Sequence, residues 1–209
     1  GSMGDLYSRT DLRRDANGAI YMDESNNVYT QKIDNPDSYI KLGSVLPKGN
    51  LAWRNNFMWK NFHVGFMISA RLGGVVFSRT QAILDKFGVS EASADARDNG
   101  FVLINGNDRV NPENWYTTVG STAVPQYYTY SATNVRLQEA SIGYTIPRKW
   151  LANVCDIKVS LIGRNLWMIY SKAPFDPEAV ASTDNFYQGI DNFMMPSLRN
   201  VGFSLNFKF

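Results

Sequence analysis

The chain has very few of the residues that build metal sites and nucleophile–base pairs. It contains one cysteine, Cys155, and one histidine, His63, among 209 residues. A single cysteine cannot form an internal disulfide, and it offers no metal cluster. A Ser–His or Cys–His pair needs a histidine held beside the nucleophile, whereas His63 lies in an alternating segment typical of a strand. We therefore expect no catalytic residue, no metal site and no cofactor, and a protein that is not an enzyme.

A strong net charge and a long apolar run are also missing. The formal charge is +2, from 21 Lys and Arg against 19 Asp and Glu. This balance excludes the basic footprint of a nucleic-acid binder, so no nucleic-acid partner is expected. No stretch approaches the roughly 18 consecutive apolar residues of a membrane helix. That excludes helical spans but not a membrane β-barrel, because barrel strands alternate and have an average hydropathy like that of soluble chains.

What the sequence does contain is period-two alternation, most clearly in residues 201–209. There the odd positions are apolar: Val201, Phe203, Leu205, Phe207 and Phe209. Such a strand has one face for lipid or a core and one face for water. An amphipathic strand that finishes on phenylalanine is typical of outer-membrane β-barrels, whose closing strand stops at the periplasmic rim. The edge strand of a soluble β-sandwich would show the same alternation.

Further strands are predicted from the same periodicity. They cover Leu51 to Trp59, Phe62 to Ala70, Val135 to Ile146 and Asp156 to about Tyr170, and the final strand is expected to start near Pro196. Each is close to the ~9–11 residues, or slightly more, that a tilted strand needs to cross a bilayer. The connections alternate between short (60–61, 147–156) and long (71–134, 171–195). An up-and-down barrel would place all short turns on one side and all long loops on the other.

The first long loop is predicted to be folded. Ser78 is a candidate N-cap for a helix that Gly88 ends, and 90–98 forms a second short helix closed by Asn99-Gly100. Loops of more than about 15 residues are usually functional or disordered. The expected fold is thus all-β: consecutive antiparallel strands of a large transmembrane β-barrel, with long extracellular loops that carry short helices.

Four segments of the sequence carry motifs in a fixed order. They are Tyr39-Ile-Lys-Leu-Gly43 with Pro47; Arg71-Leu-Gly-Gly74 with Val76-Phe-Ser78; Asn134-Val-Arg-Leu-Gln-Glu-Ala-Ser-Ile-Gly-Tyr-Thr-Ile-Pro147; and Gly163-Arg-Asn-Leu166 with Asp176-Pro-Glu178. Together they resemble the C-terminal region of the SusC/RagA-type TonB-dependent outer-membrane transporters. The third segment is the most specific, because it matches the family's V-R-L and G-Y pattern with a following proline.

This resemblance implies import across the outer membrane of a Gram-negative bacterium, with Phe209 as the signal for insertion into that membrane. It implies oligosaccharides or other large nutrients, or peptides in some members, as ligands, a SusD-like surface lipoprotein as partner, and TonB contact through an N-terminal region absent here. Residues 4–209 would be the C-terminal part of the barrel, unable to transport alone, and Gly1-Ser-Met3 the scar of an expression tag. The family's acidic early loop is matched only by Asp15-Ala-Asn-Gly18 and Asp23-Glu-Ser-Asn26, which we interpret as solvated turns because a calcium loop needs ordered oxygen ligands.

Aromatic residues in the two long loops are the candidates for contact with a substrate or partner, because aromatic faces stack on sugar rings and anchor interfaces. Loop packing or an interfacial aromatic belt would use the same residues. An alternative function is a soluble or surface-displayed β-sandwich module that binds carbohydrate through them. The candidates are Trp115, Tyr116, Tyr127, Tyr128, Tyr130, Phe186 and Tyr187.

Overall fold

A computed structural model describes residues 4–120, 124–151, 154–182 and 187–208. Phe186 and Phe209 lie outside these ranges. Three α-helices are present: α1 Arg79–Lys86, α2 Glu91–Asn99 and α3 Pro112–Val119. The strands are β1 Asp5–Ser8, β2 Thr10–Leu12, β3 Thr30–Lys32, β4 Ile40–Ser44, β5 Gly49–Trp59, β6 Phe62–Leu72, β7 Val75–Ser78, β8 Val102–Ile104, β9 Asp108–Val110, β10 Thr129–Ser131, β11 Asn134–Ile146, β12 Asp156–Ser171, β13 Ile190–Asp191 and β14 Asn200–Lys208.

The chain divides into two compact units. The first, here the loop unit, comprises Gly1–Leu46, Gly74–Ser131 and Val180–Met194. The second, here the sheet unit, comprises Pro47–Gly73, Ala132–Ala179 and Met195–Phe209. Within the described ranges, no helix has the length and apolar character needed to cross a membrane.

The sheet unit is built on one five-stranded sheet in which chain order and spatial order agree. Its strands run β5, β6, β11, β12, β14, and every neighbouring pair is antiparallel. The predicted strands and their antiparallel order are thus present. Lys60 takes a left-handed φ of 52° in the two-residue turn between β5 and β6, as such hairpins require. Pro147 ends β11, and a single 3₁₀ turn, Arg148–Trp150, follows it.

The predicted start of the last strand is wrong by four residues, because β14 begins at Asn200 and not near Pro196. Proline has no N–H to offer a neighbouring strand. The next N–H, that of Ser197, is donated to the Asp176 carboxylate at 3.1 Å. Neither residue is therefore available to the ladder, and pairing with β12 starts only where Asn200 meets Arg164.

The loop unit is organised by two hydrophobic clusters and short strand pairs. The Ser78 hydroxyl accepts from the Gln81 N–H, which confirms the predicted cap of α1, and Gly100 ends α2 with a φ of 79°, as predicted. Ser90, the expected first residue of the second helix, is instead its N-cap and accepts from the Ser93 N–H. Trp115 packs against both clusters. Their buried members are Leu12, Ala82, Val119, Val124 and Tyr128 in one, and Val28, Ile104 and Val110 in the other.

Helix α3 was not predicted, although the sequence carries a signal for it. Asn111 caps it by accepting from the N–H groups of Glu113 and Asn114, and Pro112 occupies the first turn. Asparagine followed by proline is a favourable helix start. The residues inside the helix, Trp115 to Val119, are aromatic or β-branched and have weak helix propensity. Tertiary burial of Trp115 and Val119 therefore stabilises a helix that propensity alone does not favour.

A buried carboxylate fixes α1 against the core of the loop unit. Asp85, only 5% exposed, accepts from the Tyr128 hydroxyl at 2.8 Å and from the Gln81 side-chain amide at 2.8 Å. Burial, together with the charge of Asp85, raises the pKa of Tyr128 far above its usual value. The phenol is therefore a permanent donor at physiological pH, which is what a buried carboxylate needs.

Replacing the buried phenol tests this bond. We expect Tyr128→Phe to lower the free energy of local opening around α1 by about 1–3 kcal/mol, because the Asp85 carboxylate loses a buried donor. Hydrogen exchange of the α1 amides measures the change. The matched control is Tyr21→Phe, since the Tyr21 ring lies under Arg13 at 4.4 Å and keeps that contact without its hydroxyl. Equal exchange in both variants would show that the Asp85–Tyr128 bond contributes nothing.

Candidate functional site

The most extensive candidate surface is one face of the five-stranded sheet. Residues paired directly across neighbouring strands share a face. A single row of such pairs runs Phe57, Val64, Ile142, Leu161 and Phe203 across all five strands. The next row on one side consists of Trp59, Phe62, Tyr144, Val159 and Leu205. On the other side the next row consists of Asn55, Phe66, Ala140, Gly163 and Val201, and beyond it lie Trp53, Ile68, Leu137 and Trp167. This set is called the apolar face below.

The apolar face is exposed over most of its extent. Phe203 is 77% exposed, Trp59 68% and Leu161 54%. Soluble monomers rarely expose contiguous apolar patches above a few hundred Å², and this patch crosses five strands. Its side chains also contact one another, as in the edge-to-face pair of Phe62 and Tyr144 with centroids 4.8 Å apart. The surface is therefore built for apolar surroundings.

The opposite face of the same sheet is polar. Glu139 forms ion pairs with two arginines. Arg54 Nη2 lies 3.2 Å from Glu139 Oε1, and Arg164 Nε lies 3.5 Å from Oε2. His63 Nε2 lies 2.8 Å from the Thr145 hydroxyl, so the single histidine is paired with a neighbouring strand. One sheet therefore has an apolar face and a polar face.

The aromatic residues predicted for ligand contact divide between core and surface. Trp115 is half-buried and meets Tyr127 edge-to-face at 5.7 Å. The Tyr116 hydroxyl donates to the Ala92 carbonyl at 3.0 Å. Tyr128 is 4% exposed and belongs to the core. Tyr130 pairs with Val76 in the β10–β7 ladder and is partly buried.

Tyr187 is the most exposed of the predicted contact residues within the described ranges, at 58%. Tyr127 is 38% exposed. The structure thus brings Trp115 and Tyr127 together and gives Tyr128 a structural role. Phe186 falls outside the described residues, so its prediction stays a prediction.

The two acidic turns use their carboxylates internally. Asp15 Oδ1 accepts from the N–H groups of Asn17 and Ala19, and Asp23 Oδ1 accepts from those of Ser25 and Asn27. A hydrogen bond from the Tyr29 hydroxyl, followed by those of the turn, lowers the pKa of Asp23. These oxygens are turn-forming acceptors, in agreement with the interpretation of both segments as solvated turns.

An ion-pair network in the sheet unit was not anticipated from the sequence. Arg136 of β11 is 4% exposed, and its Nη2 lies 2.9 Å from Asp176 Oδ1 and 3.3 Å from Glu178 Oε2. Arg136 Nε donates to Asn134 Oδ1 at 3.3 Å. The Ser197 N–H donates to Asp176. We call this set, which holds both ends of the 172–199 connection to β11, the clasp.

The clasp joins two of the segments that carry the family resemblance, the V-R-L segment and Asp176-Pro-Glu178. Burial by itself would raise the pKa of Asp176. Hydrogen bonds from Ser197, the Glu178 N–H and Arg136 outweigh burial and hold the pKa below its usual range. Asp176 is therefore ionised at neutral pH. Glu178, with a side chain that is 39% exposed, is the more accessible of the two carboxylates that pair with Arg136.

Comparison with known proteins supports the resemblance. No family model matches the chain. The chain is 27% identical over 207 residues to the TonB-dependent receptor P3 of Formosa agariphila, covering 93% of the chain and 19% of that receptor. Its fold is similar to the RagAB peptide importer in the open-open state (TM-score 0.64, 16% identity) and in the closed-closed state (TM-score 0.56, 18% identity).

In both comparisons the match covers 98% of the present chain and 22% of the importer chain. The chain therefore spans about a fifth of the length of the relatives it matches. The resemblance to TonB-dependent receptors, first stated from four sequence segments, is confirmed.

Breaking the clasp tests its hold on the 172–199 connection. Removing one partner from a buried ion pair costs about 3–5 kcal/mol, so we expect Arg136→Met to raise the rate of tryptic cleavage after Lys172 at least tenfold. Glu178→Gln should have a smaller effect because Glu178 is partly exposed. The control is Arg164→Met, which removes an arginine that is paired with Glu139 outside the clasp. Unchanged cleavage in Arg136→Met would contradict the clasp.

The pH dependence of the clasp follows from Asp176. A carboxylate with a lowered folded-state pKa contributes stability above its unfolded pKa, here 3.8, and that contribution is lost as pH falls through the folded value. We expect the amides of Glu178 and Ser197, which donate to the Asp176 carboxylate, to stay protected at pH 5 and to lose protection below about pH 4. Hydrogen exchange corrected for intrinsic rates measures this, and Asp176→Asn should abolish the acid transition.

Proposed function

We propose that the chain is part of an outer-membrane TonB-dependent importer for oligosaccharides or other large nutrients. The apolar face carries this proposal. In that setting it lies against lipid, and the face with Arg54, Glu139 and Arg164 lines a hydrated interior. Antiparallel strands of alternating character that form a barrel are one of only two backbone solutions that satisfy hydrogen bonding within a bilayer. The lengths of the sheet strands, from 9 to 16 residues, suit a tilted crossing.

The connections between the long strands support the same arrangement. The turns at 60–61 and 147–155 are short, whereas 73–133 and 172–199 are long. With antiparallel neighbours throughout, the short turns share one side and the long connections share the other. This proposal gives the long connections an extracellular position, where they meet ligand. It also predicts that the parent reading frame encodes a plug and many further amphipathic strands.

We propose a SusD-like surface lipoprotein and TonB as protein partners of the intact protein, and the Gram-negative outer membrane as its location. The four family-like segments support this assignment, and the structural relatives of the chain are forms of the RagAB peptide importer. Co-purification of a lipoprotein with the protein extracted in mild detergent tests the first partner. Recovery of the protein without any lipoprotein, across several detergents, would contradict it.

The alternative is a soluble or surface-displayed β-sandwich that binds carbohydrate, and the exposed Tyr127 and Tyr187 favour it equally. The two functions differ in what covers the apolar face. A sandwich buries that face against a second sheet, whereas a barrel exposes it to lipid. One charged substitution on that face separates the two.

Phe203→Lys is the decisive substitution. In a bilayer, a lysine on the lipid face costs about 2–4 kcal/mol at the midplane. We therefore expect Phe203→Lys to deplete the protein from the outer-membrane fraction and to weaken its heat-modifiable folded band. The control is Asn206→Lys, on the polar face of the same strand. Wild-type amounts of folded Phe203→Lys, released with the soluble proteins, would contradict the membrane assignment.

For ligand contact we propose the exposed loop tyrosines Tyr127 and Tyr187, with Trp115 and Tyr116 supporting them. Truncating an aromatic anchor typically costs 1 kcal/mol or more of binding energy. We expect Tyr187→Ala to lower the uptake of a fluorescently labelled oligosaccharide mixture, or of a labelled casein digest, severalfold. Tyr29→Ala, an exposed tyrosine of the 23–29 turn, is the control. Equal uptake in both variants would remove Tyr187 from the ligand path.

A further inference from the structure

A cleft of about 380 Å³ lies in the sheet unit beside the clasp. Its walls are largely apolar and come from Met168 of β12 and from the 172–199 connection, with Pro174, Phe175 and Pro196. Arg136, Asp176 and Ser197 line it as well. Apolar walls with a few fixed polar groups are typical of small-ligand sites, and the volume is at the lower end of their roughly 300–1,000 Å³ range.

One side of the cleft is a strand edge. β12 pairs with β11 as far as Ser171, but its pairing with β14 ends at Arg164. No strand in the described part of the chain pairs with residues 165–171 on the β14 side. Such an edge presents backbone N–H and C=O groups that an added strand can bind. Asn165, Trp167, Met168 and Ser171 of this overhang all line the cleft.

Asn165 adds a second observation that points to a ligand. Its side-chain oxygen Oδ1 is buried and has no hydrogen-bond partner among the described residues. Its amide is oriented, because Nδ2 donates to the Leu198 carbonyl at 3.3 Å. The residue also has a left-handed φ of 50°, at a bulge where β12 gains one residue over β11. Buried unsatisfied acceptors are rare in native proteins, and this one calls for an N–H or O–H donor.

The polar groups of the clasp already have hydrogen-bond partners within the protein and are not available to a ligand. Asp176 Oδ1 accepts from Arg136 and from the Glu178 N–H, and Oδ2 accepts from the Ser197 N–H. Arg136 is in turn neutralised by Asp176 and Glu178. The clasp therefore serves as a rigid boundary of the cleft, and the unmet hydrogen-bonding capacity is that of Asn165 and the β12 edge.

We propose that this cleft binds a short peptide in an extended conformation, added along residues 165–171 of β12. Three features agree on this ligand. The strand edge needs a backbone partner, the Asn165 oxygen needs an N–H donor, and the walls suit apolar side chains. A sugar's hydroxyls can bond the acceptor and single edge groups, but they do not repeat with the spacing of a strand's N–H and C=O groups. An acyl chain offers no hydrogen-bonding group along its length. Main-chain hydrogen bonds give the affinity in this mode, and side-chain pockets give the preference.

The test uses the whole protein, purified in detergent, and calorimetric titration with the capped tripeptide acetyl-Val-Phe-Val-amide. The matched probe is the same tripeptide with N-methylated amides, which keeps the side chains and loses the donors. The test variant is Asn165→Gly, since glycine accepts the left-handed backbone and removes only the amide. The control is Asn26→Gly, another asparagine with positive φ (59°), in a turn of the loop unit.

We expect saturable binding of the capped tripeptide, at least tenfold weaker binding of the N-methylated form, and a five- to tenfold loss in Asn165→Gly with none in Asn26→Gly. Equal binding of the two peptides would overturn strand addition. Absent saturable binding, or equal loss in both variants, would overturn the site. The titration measures no uptake and no membrane insertion, so its result is separate from that of the Phe203→Lys experiment.

Discussion

The register of five antiparallel strands is the constraint on which the rest of the sheet unit depends. Side chains alternate with a period of two, so a slip of one residue in any strand would exchange its two faces. The row from Phe57 to Phe203 shows that all five strands keep the register that unites their apolar positions. Arg54, Glu139 and Arg164 meet on the other face for the same reason. The sheet thus has one apolar and one polar face because of the register in which its strands pair, and not because of its composition alone.

That register is interrupted near the end of β12, which makes this end different from the rest. β11 gains a residue over β6 between Leu137 and Glu139, and β12 gains one over β11 there and another opposite Val135 and Arg136. At the Asn165 bulge β12 gains a residue over β11, and β14 no longer follows it. A bulge bends a strand and increases its local twist. Beyond it, the chain that would continue β14 instead supplies Ser197 to the clasp. The strand overhang, the cleft and the late start of β14 therefore lie at one place, where the regular pairing of β12 with β14 ends.

The sequence predicted the features that depend on neighbours in the chain. The long strands follow from alternation, α1 follows from the Ser78 cap and the Gly88 stop, and the end of α2 follows from Asn99-Gly100. The clasp could not be predicted in this way, because 40 residues separate Arg136 from Asp176 and no periodicity links them. The role of Tyr128 was also hidden, since Tyr127 and Tyr128 are identical side chains, and only tertiary packing gives one a buried carboxylate as partner.

The energetics of the clasp argue that it specifies a conformation. A buried ion pair rarely stabilises a fold more than well-packed apolar residues would, so stability alone does not explain Arg136. The network does restrict geometry, because a guanidinium offers donors in a fixed fork, and here Asp176, Glu178 and Asn134 all occupy it. Apolar side chains in the same place would permit several arrangements of the 172–199 connection. The arginine network ties this connection to β11, and Arg136, Asp176 and Ser197 of the network line the cleft that we assign to a ligand.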